Sequence, residues 1–271
     1  MSRTFDYRGK TVFVAGGTSG INFGIAEAFA GAGARLAVAS RRQDKVDAAV
    51  GRLSGHGEAV LGYALDVRDY AAVEAALADA ARRLSGIDVL VSGAAGNFPA
   101  PALAMSANAF KSVIDIDLLG TFHVLRAGFA HLNKPGASVI NLSAPQAYIP
   151  MPLQMHVCAA KAGVDMITRV AAMEWGRAGV RVNSIVPGPI DDTEGMKRLA
   201  PTPQARKLTQ DSVPLGRFGD KRDIAGACLW LAGPEAAYVT GAVIPIDGGW
   251  SLAGVSVAGA GMFDQFAGAF R

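Results

Sequence analysis

Short apolar runs alternate with longer helical patterns along almost the whole chain, and few folds accept that order. Residues 11–15 (TVFVA), 35–39 (RLAVA), 58–64, 88–92 (DVLVS), 138–142 (SVINL), 180–186 and 242–246 read as strands. Residues 21–31, 43–53, 70–84, 107–132, 153–178 and 221–231 read as helices between them. The strands are mostly apolar rather than strictly alternating, as strands covered on both faces are. This order calls for an α/β fold: one Rossmann-like, doubly wound parallel sheet of about seven strands, with helices on both faces and right-handed crossovers. A length of 271 residues suits a single domain, 1–271. Residues 187–216 have weak periodicity and several Pro and Gly, and are expected to form a substrate-binding lid within it. Residues 251–271, rich in Gly and Ala with scattered Phe, read as a C-terminal tail.

Composition narrows the function classes. The net charge is only +3, and Lys and Arg are scattered without aromatic interleaving, so no nucleic-acid partner is expected. The two cysteines, Cys158 and Cys228, have no metal-ligand neighbours and are expected to be free thiols, with no metal bound. No apolar run is long enough to span a membrane. The N-terminal MSRTFDYRGK lacks a signal-peptide apolar region, and the final Ala-Phe-Arg is not a Ser-Lys-Leu type peroxisomal address. A soluble, cytoplasmic protein is expected.

The first strand runs into Ala15-Gly16-Gly17-Thr18-Ser19-Gly20-Ile21-Asn22, which opens the first helix. Glycines there let the backbone turn sharply and approach a pyrophosphate, while the helix start offers free N–H groups. Gly16, Thr18, Ser19, Gly20 and Ile21 are therefore candidate cofactor contacts, although an ordinary tight turn would also use glycine. The second strand ends in Ser40-Arg41-Arg42. An acid at this place would hold a ribose 2′-hydroxyl, whereas Arg41 suits a 2′-phosphate, so NADPH is expected rather than NADH. Asp66 and Val67 close the third strand, where the carboxylate could accept a bond from the adenine amino group or simply cap a helix.

Together these pieces resemble the short-chain dehydrogenase/reductase family over nearly the whole chain. The family's Thr-Gly-x-x-x-Gly-Ile-Gly appears as Ala15 to Asn22, with Asn22 in place of the last glycine. Its Asn-Asn-Ala-Gly appears as Gly93-Ala94-Ala95-Gly96, and its Pro-Gly as Pro187-Gly188-Pro189-Ile190. Asp247-Gly248-Gly249 also matches. The resemblance implies cofactor contacts at Ala95, Gly96, Pro187, Gly188, Ile190 and Thr193, with Lys161 holding the nicotinamide ribose. It also implies a homotetramer.

The departures narrow the chemistry. Ser143 and Lys161 match the family's catalytic serine and lysine, but Val157 stands where its tyrosine would be, and Asp117 where a helix asparagine would be. Valine cannot donate a proton. One branch, the NADPH-dependent 2,4-dienoyl-CoA reductases, is similar in Ala94–Phe98, in Asp115-Ile116-Asp117, in Leu153-Gln154-Met155-His156 and in Thr193-Glu194-Gly195. Its peroxisomal type also lacks that tyrosine. The resemblance implies that Asn97 contacts the thioester oxygen of an acyl-CoA substrate. Hydride added to the δ carbon of a conjugated dienoyl thioester sends charge to that oxygen, so Asn97 is expected to stabilise it, Lys161 to supply positive charge, and Asp117 to order a protonating water. Phe98, Ser143, Tyr148 and His156 are candidate substrate contacts. Two alternatives stand beside this reading. One is a keto/hydroxy oxidoreductase, on a 3-ketoacyl thioester or another carbonyl, using His156 or Tyr148 as substitute acid. The other is a non-catalytic dinucleotide-binding regulator.

Overall fold

The computed structural model describes residues 5–252. Its seven strands are β1 (Thr11–Ala15), β2 (Arg35–Ser40), β3 (Val60–Ala64), β4 (Val89–Ser92), β5 (Ser138–Leu142), β6 (Arg181–Pro187) and β7 (Val243–Ile246). They form one parallel sheet in the order β3-β2-β1-β4-β5-β6-β7. The chain steps outward from β1 to β3, then returns to β1's other side with β4. That reversal opens a crevice at the C-terminal ends of β1 and β4, where doubly wound sheets bind ligands.

The expected strands are all present, with ends shifted by a residue or two. Burial on both faces holds for the central strands: every residue of β1, β4 and β5 is buried. The outer strands β3 and β7 are only partly covered, because each lacks a neighbour on one side. Alternate residues of β1 feed two cores. Val12 and Val14 pack with Phe23, Ile25 and Phe29 of α1 (Gly20–Gly31) and with Ile224 and Leu231 of the late helix 221–232. Phe13 and Ala15 face the opposite core, where Val73 and Leu77 of α3 (Tyr70–Leu84) pack with Val124 and Leu125. The remaining early helix, α2 (Gln43–Leu53), buries Val46, Ala49 and Leu53.

Two departures from expectation shape the site. The stretch 107–132 is not one regular helix. It is α4 (Ala107–Val113), a π turn over Ile114–Leu119, and α5 (Gly120–Gly128), with a 3₁₀ turn over Phe129–His131. A π turn adds one residue to a helical turn and rotates the helix beyond it. Asp117 lies inside it and is 1% exposed. Residues 187–216 contain two helices, α7 (Glu194–Leu199) and α8 (Pro203–Asp211), started by Thr193 and Thr202, whose hydroxyls accept N–H bonds from Met196 and Ala205. α8 buries none of its side chains, which is why apolar periodicity did not reveal it. Between β5 and β6 runs α6 (Met155–Trp175), and α9 (Lys221–Ala232) precedes β7; α9 starts at a reciprocal cap between Asp220 and Asp223. The expected tail falls almost wholly outside the described residues.

Candidate active site

The turn after β1 and the ends of β2, β3 and β4 line a groove of about 390 Å³ that includes Gly16, Thr18, Ser19, Gly20, Ile21, Arg41, Asp66, Val67 and Ala95. Gly16 has a φ of +82°, and a Cβ there would lie 2.9 Å from the Ala94 nitrogen, so only glycine fits. Helix α1 starts at Ser19 without a side-chain cap and with no acid in its first turn, which leaves its first N–H groups facing the groove's end. Arg41 is exposed at the groove's rim with Lys45 beside it, while its neighbour Arg42 pairs with Asp44. Asp66 is clasped by Arg68, whose Nη2 donates at 2.6 Å; this guanidinium holds the carboxyl below its usual range.

The groove continues into a second cavity of about 410 Å³, bordered by Asn97, Asp117, Ser143, Val157, Lys161, Pro187, Gly188, Ile190 and Thr193. Lys161, on the second turn of α6, is 6% exposed. Its ammonium donates to the Leu142 carbonyl at 2.9 Å and lies 3.3 Å from Asp117 Oδ2. The other carboxylate oxygen of Asp117 accepts the Gly96 N–H at 2.7 Å. Both oxygens of Asp117 thus face protein, one toward the lysine and one toward the turn that presents Asn97. Charges so buried persist because they are paired. The Asn97 carbonyl accepts from Arg198 Nη1 of α7 at 2.9 Å, its side-chain Oδ1 is buried without a hydrogen-bond partner, and the residue lines the cavity. Ser143 is buried at the wall, next to Asp165 of α6, which takes a 3.0 Å bond from Ser184 and whose pKa burial pushes up.

The other candidates are not gathered here. His156 is fully buried, its Nδ1 accepts the Val157 N–H at 2.9 Å, and its ring meets Phe98 edge to face at 4.5 Å. Phe98 borders a smaller adjoining cavity beneath α7, with Gly96 and Arg198. Tyr148 is half exposed outside the cavity wall, its pKa raised chiefly by partial burial. Neither His156 nor Tyr148 is placed to act as a substitute acid in this geometry. Gln146, which its place after β5 puts near the substrate, lines the wall, its Nε2 donating to Gln154 Oε1 at 2.9 Å, as does Met151; sequence reasoning passed over Met196, Thr209 and Trp250. Trp250 Nε1 donates to Ser212 Oγ at 3.0 Å and so ties the chain beyond β7 to the end of α8. Its place directly after Asp247-Gly248-Gly249 was the one available signal.

A family profile described as Enoyl-(Acyl carrier protein) reductase matches residues 15–251. The chain belongs to the short-chain dehydrogenase/reductase family. It is 45% identical over 245 residues to the peroxisomal 2,4-dienoyl-CoA reductase [(3E)-enoyl-CoA-producing] of Pongo abelii, covering 89% of this chain and 84% of that one. It is 35% identical to a probable 2,4-dienoyl-CoA reductase [(2E)-enoyl-CoA-producing] of Bacillus subtilis, covering 89% and 96%. A putative short-chain alcohol dehydrogenase from Sinorhizobium meliloti superposes with a TM-score of 0.86 at 30% identity, covering 92% and 98%. Members of this family are oxidoreductases that use a nicotinamide dinucleotide, and the uncapped α1 start with its glycine cradle fits one. Among the described residues no helix is long and apolar enough to cross a membrane, and no three His, Cys, Asp or Glu cluster as a metal site would need.

Proposed function

We propose that this enzyme reduces an acyl-CoA thioester, a 2,4-dienoyl-CoA, at the expense of NADPH. One observation carries the reading. A buried Lys161–Asp117 pair stands beside Asn97 in a cavity whose wall has Val157 in place of an acid. Such a site can stabilise an anion and lacks the phenol that would protonate one, while the Lys161 ammonium is engaged by the Leu142 carbonyl and Asp117. That suits a conjugated thioester, whose charge delocalises to oxygen, better than a ketone, whose alkoxide needs an acid at once.

Gly16, Thr18, Ser19, Gly20, Ile21, Arg41, Asp66, Val67, Ala95, Gly96, Pro187, Gly188, Ile190 and Thr193 would hold NADPH, which would supply the hydride when bound. Arg41 and Lys45 line the groove where β2 ends, and no acid stands at that strand end, which supports the phosphorylated form over NADH. Asn97 Nδ2 donates to the thioester oxygen as charge gathers there. Lys161 holds the nicotinamide ribose and lends its charge. Asp117 fixes both, through the ammonium on one side and the Gly96 N–H on the other. Its inward-facing oxygens favour this anchoring role over the water-ordering one expected from sequence. Water then protonates carbon: addition at the α position gives a (3E)-enoyl product, at the γ position a (2E)-enoyl product. Phe98 and Ser143 flank the acyl path, and the lid 187–216 covers it.

The working unit is proposed to be a homotetramer, supported by exposed Phe122 on α5 and by Met166, Val170 and Met173 along one stripe of α6. A cytoplasmic location belongs to the same proposal, in contrast to the peroxisome in the name of the Pongo abelii relative.

The test measures NADPH consumption with a 2,4-dienoyl-CoA and, in parallel, a 3-ketoacyl-CoA. Turnover of the dienoyl substrate alone is expected. Turnover of the keto substrate alone would replace this reading by the keto/hydroxy one, and NADPH binding without turnover of either would favour a regulatory protein.

A further inference from the structure

We infer that Asn22 is a positioning residue that joins the dinucleotide turn to the loop carrying Asn97. Its Nδ2 donates to the Gly93 carbonyl at 2.6 Å, across from the start of α1 to the end of β4. Asn22 borders both the dinucleotide groove and the reaction cavity. The bond therefore crosses the seam between the two.

The space around this amide is shaped for it from both sides. A Cβ on Gly16 would lie 3.0 Å from Asn22 Nδ2. A Cβ on Gly93 would lie 2.1 Å from Asn22 Oδ1, and the three atoms nearest to that Cβ all belong to Asn22. Gly93 is not among the glycines with positive φ, so its backbone would accept a side chain. The nearest obstacle to one is the Asn22 amide. Asparagine for glycine at 22 and glycine for asparagine at 93, both departures from the family pattern, meet at this seam, and here the amide that fills it comes from α1.

The seam matters because it leads into the substrate loop. Besides the Gly93 N–H bond to the Ala15 carbonyl at 3.1 Å, three side chains hold the segment from Gly93 to Asn97: Asn22 at the Gly93 carbonyl, Asp117 at the Gly96 N–H and Arg198 at the Asn97 carbonyl. Of these three, Asn22 alone reaches the loop from the phosphate turn. Its own Oδ1 is buried without a partner. A residue needed only to fill the gap would be better apolar, since an unpaired buried oxygen is costly. The donor function of Nδ2 accounts for the amide. The role in turnover rests on the proposed function of Asn97; the role in cofactor binding does not.

The experiment compares the parent with Asn22→Gly, Asn22→Leu, Gly93→Asn and the double change Asn22→Gly/Gly93→Asn. Three quantities are read: NADP⁺ affinity by calorimetry, melting temperature, and kcat and KM for a 2,4-dienoyl-CoA. Asn22→Gly and Asn22→Leu should weaken NADP⁺ binding about two- to tenfold, the equivalent of one hydrogen bond, and lower kcat while leaving KM for the thioester nearly unchanged. Gly93→Asn alone should be the most damaged or fail to fold. The double change should recover NADP⁺ affinity to within about threefold of the parent, a coupling that independent sites do not show. Parent-like NADP⁺ affinity in both Asn22 variants, or a double change no better than Asn22→Gly alone, would overturn the inference. These binding arms read out even where no dienoyl turnover occurs, so a failure of the substrate assignment is told apart from a failure of this one.

Discussion

Val157 and Lys161 set the terms at the level of single residues. Lys161, 6% exposed, has its ammonium met by the Leu142 carbonyl and Asp117. Removing the carboxylate in Asp117→Ala leaves that charge without its ionic partner. A loss of about 3–5 kcal/mol in unfolding free energy is expected, read by urea titration. Asn97→Leu keeps volume but removes the donor. Dienoyl reduction should fall by about 10²–10³ in kcat while NADPH binding, monitored by its fluorescence, is spared. An unchanged kcat would remove Asn97 from the mechanism. Asp165 carries a pH signature. Burial raises its folded-state pKa above the ordinary carboxylate value of 3.8. The fold therefore favours the neutral form, a contribution fully present below the unfolded value and lost as pH rises through the folded one. Asp165→Asn stays neutral throughout. Its melting temperature should exceed the parent's at pH 8, and the gap should close toward pH 4.

Secondary elements explain what could and could not be read in advance. The β-α series and the glycine turn followed from mostly apolar runs of four to seven residues, because a strand buried on both faces carries few polar side chains to disguise it. The π turn was invisible: Ile114 to Leu119 has an ordinary helical composition, and its extra residue is a tertiary outcome that points Asp117 inward. The lid helices were missed for the opposite reason, since α8 has no buried face to mark it. Asn97 and Lys161 were found by motif. Met196, Thr209 and Trp250 reach the cavity from separate segments and carry no local pattern. Arg198 belongs with them. Its bond to the Asn97 carbonyl spans from α7 to the β4 loop. Arg198→Met should raise KM for the thioester about three- to tenfold with NADPH affinity unaltered; an equal rise in both would show a general loosening rather than a lid contact.

In the whole molecule, the sheet order has a consequence for how the chain comes into being. β1 is made first yet ends between β2 and β4. During synthesis its β2 edge can close early, whereas its other edge waits until residue 92 has left the ribosome, with unpaired N–H and C=O groups exposed meanwhile. The dinucleotide groove draws mainly on residues 16–95, so most of its wall exists at that moment; the reaction cavity needs Trp250. A nascent chain would thus complete most of its nucleotide cradle well before the second cavity, so a dinucleotide bound there would favour the folded first half by mass action.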